Sequence, residues 1–325
     1  MNPLPFTAAH QLGSTEEPSR WLIENLWAEQ AVGIVGGEPK SYKSFLVLDM
    51  AVAVASGSPC LRHFPVGSTG RVLLYAAEDA LHVVRRRLEG ICSLIQLNLA
   101  QLDIQVITAP SLRLDTLQDQ TRLRQTVELL QPKLLLLDPF VRLHRIDENA
   151  SSDVSAILAY LRELQRLFRL AVVVVHHARK AAHHLRAGQA LRGSSEFHAW
   201  GDSNLYLRRK SDQLSLTIEH RAAAGRSDMP LVLQGTQDQL ALCLLDTPPP
   251  QKPIRSPGHE LILEALVGAD TPLAFSQLRQ ACHMRTETFC NLLADMHRQG
   301  TIIKTPRGYC LPSPHDGSVS LSRSL

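Results

Sequence analysis

No CxxC pair occurs in the chain, although six cysteines stand at positions 60, 92, 243, 282, 290 and 310. A zinc ribbon and a disulfide framework therefore have no support. An excess of charge is also missing: charged residues make up 20% and the formal net charge is +3. Global charge thus does not mark a polyanion binder, and any basic footprint has to be local. No run of 18 apolar residues is present, and the opening MNPLPFTAAHQLGSTEEPSRW has no apolar stretch behind a basic one. A membrane span and a secretory leader are not expected, and a cytoplasmic protein is. Internal repeats are absent, which argues against a solenoid.

What is present is enough apolar material for a core. Hydrophobic residues make up 44% of 325, which fits one sizeable domain and a small module. Short continuous apolar runs at 31–36, 72–77, 104–109, 134–138 and 171–177 predict buried strands of a parallel sheet. Between them, 43–57, 80–97, 116–131 and 153–168 carry apolar residues at helical spacing. Strands alternating with helices predict an α/β fold with both sheet faces covered. Four alternating segments at 203–209, 213–220, 230–235 and 238–243 predict an antiparallel extension of the same sheet.

The α/β unit is expected to end near 245, with residues 1–20 as an N-terminal arm. The Pro-rich stretch 246–257 reads as a linker. Within 258–312, three helices (259–268, 274–282, 285–299) and a hairpin (301–311) suggest a winged helix. Residues 313–325 are Ser-rich and predicted to be disordered.

Three motifs carry chemistry. GEPKSYKS (37–44) has the spacing of GxxxxGK[ST], with Tyr42 where the last glycine belongs. Such a loop, opening onto a helix N-terminus, turns several backbone N–H groups toward phosphate. Gly37, Glu38, Pro39, Lys40, Ser41, Tyr42, Lys43 and Ser44 would form the cradle. Within it, Lys43 would reach the β/γ-phosphates of ATP and Ser44 would ligate Mg2+. Lys40 is a second cation that either touches phosphate or is merely solvated. LLLLD (134–138) ends in Asp138, placed to hold Mg2+ through water, or alternatively to cap the turn before Pro139. The strand carries no second acid, so the base for water must come from elsewhere, and Glu78 and Asp79 follow the second strand. Asp79 also suits the N-cap of the following helix. His176 and His177 end the fifth strand, where one of them would sense the γ-phosphate or both would be structural.

GGEPKSYKSFLVLDMAVAVASG, YAAEDA, LLLLDPF, DENASSD and VVHHARK, in this order, resemble plasmid RepA-type hexameric helicases and the wider RepA-like AAA ATPases of the RecA/DnaB superfamily. The resemblance covers roughly residues 20–240. It implies a RecA-like core, a hexameric homo-oligomer with ATP held between subunits, and Glu78 rather than Asp79 as the group that activates water. It also carries Lys43, Ser44, Asp138 and His176/His177 into the roles argued above. An arginine finger supplied by a neighbouring subunit is implied, with Arg221 in IEHRAAAG and Arg192 in RGSS as candidates. The segment EFHAWGDSNLYL departs from the family, which has an arginine near the position of Asp202.

DNA would be met in two ways. Loops 139–152 (Arg142, His144, Arg145) and 178–193 (Arg179, Lys180, Arg186, Arg192) either contact single-stranded DNA in a ring channel or are solvated. Arg285 on the presumed recognition helix, with Lys304 and Arg307 at the wing, fits a duplex reader or a protein-binding module. A DNA motor and an ATP-gated DNA-binding regulator both remain open on these residues.

Overall fold

The computed structural model describes residues 4–9, 20–148, 151–177, 194–210, 213–236, 239–245, 257–269, 271–298 and 301–312. Contacts divide the chain into two compact units, Met1–Pro249 and Pro250–Leu325.

The first unit opens with a small antiparallel pair, β1 (Trp21–Ile23) and β2 (Trp27–Ala28). It continues through β3 (Val32–Gly37), α1 (Lys43–Ser56), β4 (Val72–Ala76), α2 (Leu81–Leu94), β5 (Ile104–Val106), α3 (Leu117–Leu130) and β6 (Leu134–Asp138). After these come α4 (Ser151–Phe168), β7 (Ala171–His177), α5 (Ser194–Trp200), β8 (Ser203–Lys210), β9 (Gln213–His220), β10 (Arg226–Thr236) and β11 (Gln239–Leu244). A single sheet has the order β11-β10-β9-β8-β3-β7-β6-β4-β5. From β5 to β8 neighbouring strands are parallel, and β8 to β11 are antiparallel. The mainly parallel α/β sheet with an antiparallel extension is the fold that the alternating apolar runs predict.

Side-chain alternation assigns two cores. Val35, Leu74, Leu136, Val173 and Val175 pack with α1 and α2 on one face. Ile34, Leu73, Leu135, Leu137, Val172 and Val174 pack with α3 and α4 on the other. Both faces are covered, so the central strands carry no polar residue until their ends.

Several boundaries differ from the sequence expectation. The third predicted strand is short, because the chain leaves the sheet after Val106. The helix α2 stops at Leu94, three residues early: Gln96 turns left-handed and Leu97 N–H closes on the Cys92 carbonyl. The strand β10 begins at Arg226, four residues before the predicted start. The pair β1–β2 and the helix α5 lie in segments where strands of two and three residues and a seven-residue helix leave too little periodicity to read.

The start of β3 is closely fitted to β8. Asp202 and Asn204 side chains accept from Val32 and Ile34 N–H, each at 3.2 Å, and Asp202 N–H donates to Val32 O at 2.7 Å. Main-chain pairing then takes over at Val35 with Leu205. This approach needs a residue with no side chain at Gly33, where a Cβ would lie 1.7 Å from the Ser203 carbonyl oxygen.

The second unit contains α6 (Pro257–Val267), α7 (Phe275–Cys282), α8 (Thr286–Arg298) and a hairpin of β12 (Ile303–Thr305) with β13 (Gly308–Cys310). Leu273, between α6 and α7, bridges antiparallel to Tyr309. Ile262, Leu266, Leu278, Phe289, Leu293 and Met296 form its core. Gly308 (φ 141°) lets the hairpin close on that bridge, since a Cβ there would meet the Leu273 oxygen at 2.2 Å.

Gly33→Ala is expected to lower the unfolding free energy by about 1–3 kcal/mol through overpacking against β8. The urea midpoint measures this, and an unchanged midpoint contradicts the fit described at β3.

Candidate functional site

The strand β3 delivers the chain to its carboxyl end at Gly37, and α1 begins at Lys43. Between them the backbone curls. Lys40 and Tyr42 both adopt left-handed conformations (φ 64°), which alternate the direction of successive peptide groups. That is the geometry of a concave anion nest. Tyr42 (φ 64°, ψ 26°) therefore holds the conformation of the glycine it replaces. The left-handed region costs a non-glycine residue about 1–2 kcal/mol. Its ring recovers part of this by meeting Phe45 edge-on at 6.1 Å, with the Arg209 guanidinium 5.8 Å from the ring centre.

Lys43 is 5% exposed, so its ammonium needs partners. It donates to the carbonyls of Gly37 (3.0 Å) and Glu38 (2.7 Å), folding back onto its own loop. Burial lowers its pKa to about 8, against the attraction of Asp138, Glu78 and Glu38. All three carboxylates are thus within electrostatic reach of the ammonium. Ser41, in the same loop, is fully buried.

Sheet alternation decides what faces this loop. Asp138 ends β6 in register with Ala76 at the end of β4. It shares parity with Leu134 and Leu136, the α1 face, and its carboxylate accepts from the Ser44 hydroxyl. Glu78 lies two residues beyond Ala76, in the bend that follows β4, and its charge acts on both Lys43 and Asp138. The strand β7 lies between β3 and β6, with Gly37 opposite His177 and Gly36 opposite His176. His177 has the parity of Val173 and Val175 on the α1 face. His176 has the other parity: it is 1% exposed and stacks on Phe197, centroids 4.2 Å apart. The two histidines, equivalent in sequence, are therefore different: His177 shares the phosphate loop's face, and His176 is packed in an aromatic cluster with Phe140 and Phe197.

The AAA domain family matches residues 2–183, more than half of the chain. The chain belongs to the AAA domain family. The matched segment holds β1 to β7, and with them the loop, Glu78, Asp138 and both histidines. Among solved structures, this chain is similar to one described as the structure of a DnaB-like replicative helicase and its interactions with primase. The likeness has 12% identity and a TM-score of 0.50, and covers 66% of this chain. This chain spans 57% of that chain's length. By family it is an AAA-domain protein, and its fold is like that of the DnaB-like helicase.

Around the AAA domain's loop, other sequence candidates fall in different places. Asp79 does not cap α2: the N-cap is Ala80, without a side-chain bond, and Asp79 instead pairs with Arg87. Its carboxylate is paired there, although its charge still acts on Asp138, more strongly than that of Glu78 does. Arg142 lies on the turn after β6, and its Nε donates to Glu78 Oε1 at 2.9 Å. Arg145, on the same loop, is exposed. His144 and Phe140 do not join Arg142 and Arg145 at the surface: Phe140 is fully buried and His144 5% exposed, their rings 4.5 Å apart.

Arg221 follows β9 at the opposite end of the sheet from the loop, because Ser203, at the start of β8, pairs with His220. Five strand steps separate Val32 from Gly37, roughly 16 Å. Arg221 pairs with Asp202 at 3.0 Å and donates to the Ala199 carbonyl. Asp202 also takes Arg162. Arg179, Lys180, Arg186 and Arg192, with most of the 246–257 linker and the 313–325 tail, lie outside the described residues. In the second unit, Arg285, Lys304 and Arg307 are exposed. No helix among the described residues is long and apolar enough to cross a membrane.

Burial raises Asp138 from 3.8 to about 6, opposed by the Ser44 hydrogen bond and by Lys43. The folded chain then binds this proton more tightly than the unfolded chain, so its stability falls as pH rises from about 4 to 6. Asp138→Asn lacks that loss. In melts without nucleotide or metal, the variant is expected to gain on the wild type across this window, by at most about 3 kcal/mol. A wild type that gains on the variant instead contradicts the burial argument.

Proposed function

We propose that the chain is a ring ATPase acting on DNA, which binds Mg-ATP at residues 37–44 and hydrolyses it with Glu78, in the manner of a RepA-type replicative helicase of a plasmid or mobile element. The convergence of Ser44, Asp138 and Glu78 at one sheet edge carries this reading. Backbone N–H groups of the loop would receive the phosphates, together with Lys43 once it leaves the Gly37 and Glu38 carbonyls. Ser44 and Asp138 would hold Mg2+, which offsets phosphate charge when bound. A single hydroxyl and a single carboxylate suit a cation that keeps most of its other ligands as waters and phosphate oxygens.

Glu78 orients the attacking water and takes its proton as the water oxygen bonds to the γ-phosphorus. The bond from that phosphorus to the bridging oxygen breaks, and ADP keeps the electron pair. His177 is assigned to the γ-phosphate side and His176 to the core, following their parity. The finger is assigned to a neighbouring subunit: Arg221 stands at the far sheet edge, too distant for its own chain's site. A closed ring, hexameric as in the helicases it resembles, supplies that geometry. Arg145 and the basic segment 178–193 are assigned to single-stranded DNA in the channel.

A second reading rests on the other unit. Its order of helix, bridging segment, two helices and hairpin supports a winged helix, with Arg285, Lys304 and Arg307 exposed. Such a module fits an ATP-gated regulator that binds duplex DNA without unwinding it.

ATP turnover is expected to fall at least about a hundred-fold in Lys43→Ala and roughly 100- to 10,000-fold in Glu78→Gln, the latter still binding nucleotide. Equal turnover in all three proteins rejects the site. Strand displacement stimulated by single-stranded DNA favours the motor, and duplex binding without stimulation favours the regulator.

A further inference from the structure

The base of the proposed ATPase is not left to solvent. Glu78 Oε1 accepts from Arg142 Nε at 2.9 Å, and the side chains are 43% and 58% exposed. Arg142 stands on a loop whose backbone is pinned. Phe140 and Leu143, on either side of it, are fully buried. Arg142 N–H donates to Pro139 O (3.1 Å), Leu114 N–H to Leu143 O (2.6 Å), and Arg113 Nη1 to Arg142 O (2.5 Å). A guanidinium on a fixed backbone, half in water, exchanges partners by side-chain rotation alone. The neighbouring acid does not compete for it, since Asp79 is taken by Arg87.

The surface beside this arginine carries three more arginines and two aspartates. Arg145 is exposed on the same loop, its backbone tied to Asp115. With Arg113 and Arg122 it lines a polar cavity of about 320 Å3 that also contains Asp115, Asp119 and Thr116, with Arg122 paired to Asp119 at 2.9 Å. Spaced guanidinium groups of this kind suit successive phosphates of a strand rather than one small anion.

We propose that the Glu78–Arg142 ion pair is a latch on the catalytic carboxylate, opened when a phosphate of single-stranded nucleic acid takes the Arg142 guanidinium. While paired, the Glu78 oxygen that would take the water's proton is committed to Arg142. When the strand binds, that oxygen is released, and DNA binding speeds hydrolysis. This inference rests on the ATPase reading above, with Glu78 as the base. Arg142 is a positioning residue, acting through Glu78. Because an exposed ion pair contributes little, the latch is expected to change the rate by no more than about five-fold.

The test compares steady-state ATP hydrolysis by the full-length wild type, Arg142→Gln, Arg142→Lys and Lys43→Ala, with and without a single-stranded dT oligomer. Arg142→Gln is expected to show a basal kcat raised two- to five-fold, roughly the worth of the pair, with KM for ATP unchanged and little further stimulation by dT. Arg142→Lys should restore a low basal rate and stimulation, and inorganic phosphate should not replace the oligomer. An unaltered melting temperature separates this from a folding defect. A wild type well above Lys43→Ala, with Arg142→Gln at the wild-type basal rate or fully stimulated, overturns the latch alone. Stimulation by inorganic phosphate equal to that by dT overturns the nucleic-acid assignment. A wild type no faster than Lys43→Ala removes the ATPase reading, and the latch with it.

Discussion

The hydrogen bond from the Ser44 hydroxyl to the buried Asp138 carboxylate joins the two halves of the site. One half belongs to a helix start and the other to a strand end, 94 residues later in the chain. They meet because β7 inserts between β3 and β6, and the register of that inserted strand sets which residues reach the same face. A one-residue slip in β6 would turn Asp138 toward the α3–α4 core and leave Ser44 without its acceptor. The continuous apolar runs of β6 and β7 do not specify that register by themselves. The covering helices do, with α1 and α2 on one face and α3 and α4 on the other.

Electrostatics at this edge are balanced rather than relaxed. Lys43 is lowered and Asp138 is raised, both chiefly by burial, so each charged form is held under desolvation. A triphosphate with its cation would supply the opposite charge that each lacks: anionic oxygens for Lys43, a cation for Asp138. The strain of Tyr42 fits the same picture, since a left-handed residue at the helix entrance turns the loop's N–H groups inward at a cost met by local packing. Tyr42 weakens the motif on paper, yet the backbone keeps the motif's shape.

Much of this was legible in the residues. The five parallel strands and the phosphate loop follow from apolar runs and from GEPKSYKS, because buried strands and anion loops have strong local signatures. The difference between His176 and His177 was not legible, since only pairing with Gly36 and Gly37 fixes which one faces the loop. Arg142 reads as a surface cation in a basic loop, and nothing local reveals Glu78 as its partner 64 residues away. His144 was misread for a related reason: the polar loop around it hides its packing on Phe140. The β1–β2 pair escaped because strands of two and three residues have no periodicity, although Trp27 there is wholly buried.

The most direct measurement is a crystal structure with magnesium and a non-hydrolysable ATP analogue. The account predicts the triphosphate wrapped by residues 37–44 and Lys43 Nζ moved from the Gly37 and Glu38 carbonyls to phosphate oxygens. Magnesium should sit beside Ser44 and Asp138. A nucleotide bound elsewhere, or a Lys43 still bonded to those two carbonyls beneath a bound triphosphate, would contradict it.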